Sequence, residues 1–128
     1  MGPSVMFLYR QKDIILIPFP FSDGATTKRR PVLIVSCDSI NQNAHAPDFV
    51  GMMVTTSTRP SPYRVELSVG SLAEGSLPDQ SSIRCDKIAS ILKDKAIKKL
   101  ATTNDATFKA VLKGLDDVIG RSPEQVGP

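Results

Sequence analysis

"KRRPVLIVS", Lys28 to Ser36, sets three cations and a proline directly before an apolar run. Val32, Leu33, Ile34 and Val35 leave neither face of that run polar, which reads as a central strand covered on both sides. A strand of that kind commits the chain to a sheet with a core. Pro31 restricts Arg30 to extended backbone, so the position of Arg30 at the strand mouth is well defined. One surface lysine would keep a strand end soluble. Lys28, Arg29 and Arg30 in succession look more like a place where an anion sits.

On the N-terminal side, "DIILIPFPFSD" is apolar and β-branched from Ile14 to Ile17, then carries Pro18 and Pro20. Proline cannot donate to a ladder, so this strand ends or runs at an edge there. Between the two strands "SDGATTKRR" reads as a polar loop of about nine residues, a length often associated with function. On the C-terminal side, "DSINQNAHAPD" reads as a second polar loop and "FVGMMVTTS" as a third strand. "TRPSP" turns the chain. In "YRVELSV", Tyr63, Val65, Leu67 and Val69 alternate with Arg64, Glu66 and Ser68, the pattern of a half-buried antiparallel strand. "GSLAEGSLPDQ" reads as loop, "SSIRCDKIASI" as one strand or two short ones, and "DKAIKKL" as one or two helical turns.

The period then changes. Phe108, Val111, Leu112, Leu115, Val118 and Ile119 recur at helical spacing from Asp105 to Ile119. Thr103 or Asn104 caps the start, Gly120 ends it and Pro123 blocks continuation. About five short strands followed by one amphipathic helix predict a mainly β fold: a small, strongly curved antiparallel sheet or barrel with a helix packed on it.

A chain of 128 residues suggests one domain able to bury a core without staples. Residues 1–12 read as an N-terminal extension, with "MGPS" set aside as a cloning remnant. Residues 13–120 read as a single barrel domain and 121–128 as a flexible tail. The net charge of +3 and a pI near 9.0 are compatible with a nucleic-acid partner without demanding one. The apolar runs are too short to span a bilayer or to form a signal-peptide core, so no membrane partner is expected. Cys37 and Cys85 make neither a disulfide framework nor a zinc pattern, and a cytoplasmic protein with free thiols follows.

Phosphate-binding glycine loops, HExxH and GxSxG are all absent. His45 is the one histidine, in a polar loop, so no histidine metal cluster and no two-histidine acid–base pair can form. It reads as solvated, with a ligand contact as the alternative. What remains is arginine and hydroxyl chemistry. Arg30 can grip a phosphate bidentately and stabilise developing charge. Thr55, Thr56, Ser57 and Arg59 follow the third strand and offer donors to phosphate oxygens. The plainer readings are a soluble strand edge, and threonines chosen for their β shape.

Taken together and in order, "DIILIPFPFSD", "KRRPVLIVS", "MMVTTSTRP" and "SSIRCDKIASI" resemble the MazF/PemK family, the toxin component of type II toxin–antitoxin pairs. The resemblance covers about Asp13 to Ile119. It implies an SH3-like barrel of the MazF/PemK/CcdB toxin type with a C-terminal helix, usually a homodimer. It also implies sequence-selective, metal-independent cleavage of single-stranded RNA and inhibition by a cognate antitoxin. By the same resemblance the catalytic arginine falls on Arg30 and its partner threonine on Thr55, with Thr56 the alternative if the register slips by one. Two departures stand out. The glycine that usually precedes the opening aspartate is Lys12, and the loop from Gly24 to Arg30 holds no carboxylate, so the general base is unassigned.

RNA carries its own nucleophile. In-line attack by the 2′-hydroxyl leaves a 2′,3′-cyclic phosphate and a 5′-hydroxyl, with no cofactor. Arg30 would stabilise the phosphorane charge and Thr55 would position an oxygen. Lys28, Arg29, Thr56, Ser57, Arg59 and His45 are the expected RNA-binding residues. The loops Ser22–Lys28 and Ser39–Asp48 would flank the groove, with Phe19, Phe21 and Tyr63 the few stacking platforms. The rival reading is a non-catalytic toxin of the same fold that poisons DNA gyrase, since fold does not fix function. Such a protein would need no arginine–proline strand entry facing a threonine. A non-catalytic RNA-binding barrel is the third reading.

Overall fold

A computed structural model describes residues 6–20 and 27–121. Seven antiparallel strands form one sheet in the order β4-β6-β3-β2-β1-β7-β5. They are β1 (Asp13–Pro20), β2 (Thr27–Ile34), β3 (Asp48–Thr55), β4 (Arg64–Leu67), β5 (Leu72–Gly75), β6 (Ser81–Leu92) and β7 (Lys98–Thr103). A short helix α1 (Asp38–Asn41) links β2 to β3, and α2 (Asp105–Ile119) closes the fold.

β4 and β5 stand at opposite ends of the strand order, yet Leu67 of β4 and Leu72 of β5 pack into the same core. Only a curled sheet brings them together, so the architecture is a mainly β half-barrel with one C-terminal helix, the expected class. Ile14, Leu33, Met52 and Ile83 point into this first core, under Phe108 and Val111 of α2. The alternate residues Ile15, Ile17, Val32, Ile34 and Phe49 form a second core on the other face. Apolar cover on both sides is the reason "PVLIVS" lacks alternation. Phe7 belongs to this second core: it stacks on Phe49 at 5.2 Å between ring centroids and meets Tyr9 edge-on at 5.3 Å. Part of the N-terminal extension is therefore core material.

Three segments differ from expectation. Strand β2 begins at Thr27, so the basic triplet is strand rather than loop. Residues 21–26, including Phe21 and most of the expected Ser22–Lys28 loop, lie outside the described residues. "DKAIKKL" forms a single 3-10 turn, Lys93–Lys95, and then strand β7 in place of helical turns. The loop "GSLAEGSLPDQ" contains β5, paired with β7. Pro18 and Pro20 behave as expected: β7 pairs with β1 only as far as Leu16, so beyond it β1 has β2 as its one ladder partner.

Asn104 caps α2 by accepting the Thr107 N–H at 2.9 Å, and Gly120 ends it with φ +74° in the left-handed region. No helix among the described residues is long and apolar enough to cross a membrane.

Candidate active site

The site forms where two strands part. β2 and β3 share a ladder only at Val32–Met53, Leu33–Met52 and Ile34–Gly51. Beyond Val32, β2 continues to Thr27 beside β1, and β3 continues to Thr55 beside β6. Pro31, which has no N–H to donate, sits at the point of separation. The gap opens into a cavity of about 420 Å³. Lys28, Arg29 and Arg30 line it from β2, and Lys98 adds a fourth cation from β7. Thr56 and Ser81 supply hydroxyls, Leu16, Leu77 and Leu100 supply apolar wall, and Asp79 supplies a carboxylate. None of the four cations forms an ion pair with a described residue. Unpaired cations around a concave apolar floor suit an anionic ligand.

Past the last pair the strands share no ladder; the β2–β3 register extended by two and three residues would set Arg30 opposite Thr55 and Arg29 opposite Thr56. By alternation Arg30 and Thr55 lie on the face of Val32 and Met53, whereas Leu16, Arg29, Val54 and Thr56 line the cavity from the other face; Arg30 borders the cavity and Thr55 does not. Thr55 is half-buried, and its Oγ1 accepts the Ser57 N–H at 3.1 Å. Thr56 is exposed and lines the cavity directly. The segment after β3 is held by local turns, with the Arg59 N–H donating to Ser57 Oγ at 3.2 Å. Ser57 and Arg59 are exposed and stand outside the cavity. The exposed His45 lies in the α1–β3 connection, which joins β3 at Asp48. Asp48 and Thr55 are seven strand steps apart, about 23 Å, so neither His45 nor the loop Ser39–Asp48 is brought to the cavity. Tyr63 packs against the first core, whereas Phe19 is 39% exposed.

Lys98 and Asp79 escaped the sequence reading. Lys98 sits in a segment that reads as helical, and only as a strand residue beside Leu16 does it reach the cavity. The Asp79 backbone is fixed by the hydrogen bond from Ser81 Oγ to its carbonyl, 2.9 Å, and by Gln80 Nε2 donating to the Leu67 carbonyl, 2.8 Å.

On the Thr55 face, Ser82 stands opposite Thr55 and Glu66 opposite Ser82, one row across β3, β6 and β4. Arg84 faces Arg64 in the next row and holds Asp86 bidentately, with both contacts at 2.8 Å. That guanidinium holds the Asp86 carboxyl below the usual carboxylate range. Among the described residues no cluster of three His, Cys, Asp or Glu side chains is placed to hold a metal ion.

The chain superposes on an endoribonuclease from a Mycobacterial species with a TM-score of 0.70 at 23% identity, covering 90% of this chain and 94% of that one. It superposes on the same kind of enzyme in complex with its cognate antitoxin, also Mycobacterial, with a TM-score of 0.68 at 23% identity over 89% and 97%. A MazE–MazF complex from Deinococcus radiodurans gives a TM-score of 0.73 at 19% identity over 91% and 99%. At these identities the likeness shows the fold. No curated protein sequence is similar enough to count as a match. The profile of the PemK-like, MazF-like toxins of type II toxin–antitoxin systems matches residues 10–119, and the chain belongs to that family.

Proposed function

We propose that this toxin is a cytoplasmic endoribonuclease that cleaves single-stranded RNA without a metal, leaving a 2′,3′-cyclic phosphate and a 5′-hydroxyl. The observation that carries the reading is the parting of β2 and β3. It opens a cavity lined by four cations, Arg30 among them, with Thr55 at the end of β3 beside the gap. Arg30 neutralises the phosphorane, and its fork meets two oxygens where an ammonium meets one. Thr55 positions an oxygen of the same phosphate. Lys28, Arg29 and Lys98 hold flanking phosphates, with Thr56 donating from the cavity wall. Ser57 and Arg59 contact the strand as it leaves the cavity, and Phe19 offers a stacking surface. His45, at the far end of β3, contacts RNA only where the strand runs on past the cavity.

The active form is a homodimer, and exposed Ile88, Leu112 and Ile119 are apolar surface available for burial. The antitoxin is an acidic segment that lies over the basic cavity and folds as it binds.

Single-turnover cleavage of one RNA tests the reading. Removing a preorganised donor typically costs about 10²–10³ in rate. Arg30→Ala is expected to lose that much, and Arg30→Lys to recover little. Arg29→Ala mainly weakens binding in a salt-dependent way. Melting temperatures should stay close to wild type, because an arginine side chain that forms no ion pair contributes little to folding. Wild-type cleavage should persist in excess chelator, and light scattering should report a dimer at micromolar concentration. Cleavage by Arg30→Ala at the wild-type rate overturns the assignment. Dependence on added magnesium overturns the metal-free chemistry.

A further inference from the structure

A threonine hydroxyl is useful to a phosphate only when it is aimed. Its oxygen can accept twice and donate once, and left alone it rotates to suit its surroundings. The Ser57 N–H, 3.1 Å from Thr55 Oγ1, takes one acceptor site and leaves the hydroxyl hydrogen for an oxygen of the RNA. Ser57 therefore decides where Thr55 points, and what holds Ser57 comes from another strand. β3 ends at Thr55, and β6 stands between β3 and β4, so the connection 56–63 must cross β6 before β4 begins at Arg64. Arg64 then reaches back, and its Nη1 donates to the Ser57 carbonyl. Ser57 is also held through its own hydroxyl, which accepts the Arg59 N–H at 3.2 Å. We infer that Arg64 is a positioning residue for the cleavage step, fixing the Ser57 turn that aims the Thr55 hydroxyl; the inference rests on the endoribonuclease reading.

Folding alone would not choose this arrangement of Arg64. It stands directly opposite Arg84 across the β4–β6 ladder, where like charges repel. Arg84 spends its charge on Asp86, whereas Arg64 forms no ion pair with a described residue. Arg64 Nε is buried without a hydrogen-bond partner, a condition shared among the described residues only by Ser82 Oγ. A buried donor left unpaired carries a desolvation cost. What the side chain gains in return is the Ser57 carbonyl. Two strand spacings, about 9–10 Å, separate β4 from β3, so Arg64 acts on Thr55 through Ser57 rather than by contact. One carbonyl needs one N–H, so a lysine of similar reach can serve here, unlike at Arg30, where the fork meets two oxygens.

The experiment measures single-turnover cleavage of one RNA at saturating protein by the wild type, Arg64→Met, Arg64→Lys, Thr55→Val, the double variant Arg64→Met/Thr55→Val, Arg84→Gln and Arg30→Ala. Affinity for the same RNA with 2′-deoxy sugars, which cannot react, and melting curves are recorded alongside. Methionine keeps the apolar stem and removes the donor together with the orphaned Nε, so Arg64→Met should melt close to wild type. It is expected to lose about tenfold or more in cleavage rate, since a small misplacement of a reacting group can cost that much, while holding the unreactive RNA nearly as tightly as wild type. Arg64→Lys should regain most of the rate. Arg84→Gln, which removes a neighbouring positive charge and leaves the Ser57 contact intact, should cleave normally. In the Thr55→Val background Arg64→Met should cost nothing further, because the group it aims is gone. The assignment is overturned if Arg64→Met cleaves at the wild-type rate, if its loss follows a loss of binding, if Arg84→Gln loses as much, or if the two losses multiply in the double variant. Any of these, with Arg30→Ala still defective, leaves the endoribonuclease reading standing. A wild type that cleaves no RNA removes both.

Discussion

Lys12 is the one described non-glycine residue in the left-handed region, at φ +85°. An L-residue with a side chain pays roughly 1–2 kcal/mol there, and the surroundings hold it in place. Its N–H donates to the Ile34 carbonyl at 3.0 Å, and its own carbonyl accepts the Thr103 N–H at 2.9 Å. Next to it, buried Asp13 accepts the Arg10 N–H at 2.9 Å and the Thr102 hydroxyl at 2.8 Å. The side chain returns something, because Lys12 Nζ meets Asp105 in the first turn of α2 at 2.6 Å. An exposed pair of this kind contributes about 0–1 kcal/mol, and glycine would add about 0.4–1 kcal/mol of unfolded-state freedom. Lys12→Gly should therefore fall within about 1 kcal/mol of wild type in urea unfolding. Lys12→Ala loses the pair and keeps the strain, so it should be the least stable of the three; a Lys12→Gly protein less stable than Lys12→Ala would contradict this account. The departure from glycine was legible in the sequence, whereas the compensating contact, 93 residues away, was not. Arg30 was legible because its proline is its neighbour. Lys98 was not, because it reaches the cavity only through its strand pairing with Leu16.

Helix α2 lies on β6 through a contact with no room to spare. A Cβ built on Gly114 would stand 2.6 Å from Cys85 Sγ and 3.2 Å from Cys85 Cβ. Cys85 is fully buried, so its sulfur has little room to move. Alanine is the better helix former by about 1 kcal/mol, but overpacking of this severity costs about 1–3 kcal/mol. Gly114→Ala should thus destabilise the protein despite its helical propensity. Burial pushes the Cys85 thiol up to about 11, with Asp86 and Asp117 adding to the effect, so Cys85→Ala removes a neutral group. The double variant should then recover part of the loss, giving a favourable coupling in a double-mutant cycle. Strictly additive effects would show that the helix had shifted instead of pressing on the sulfur. The stripe from Phe108 to Val118 made this helix readable at once. β5 and β7 were harder for a physical reason. In β5 only Leu72 turns inward while Ala73, Glu74 and Gly75 are exposed, leaving no alternation to detect. β7 opens with exposed Lys98 and Lys99, and its buried residues are Ala101 and Thr103, too small or too polar to signal a strand. Both strands are imposed by pairing with β1 and with each other.

At the scale of the whole molecule, the ion pairs among the described residues lie at the surface away from the cavity, and the cavity cations are left unpaired. Three of these pairs contribute to the acid stability. Hydrogen bonds from Arg84, Lys99 and Lys12 hold Asp86, Glu74 and Asp105 below their ordinary range. Each of these carboxyls binds fewer protons folded than unfolded in the acid range, so stability must fall as pH falls. The contribution is fully present above the ordinary carboxylate range, near pH 4, and drains away as the pH passes down through the depressed values. The pairs lie at the surface, so each one contributes little and salt weakens it. Growing positive charge at low pH acts in the same direction by self-repulsion, beginning from a net +3 at neutrality. Arg84→Gln separates the two causes. It removes the bidentate partner of Asp86 while lowering the positive charge by one. If the pair matters, the melting temperature of the variant should lie below wild type at pH 7, and its further drop between pH 7 and pH 3.5 should be smaller. If self-repulsion dominates, the variant should instead be the more stable protein at pH 3.5. Melting curves of both proteins at the two pH values, in low and in high salt, decide between them, and a wild type that gains stability on acidification sinks both explanations.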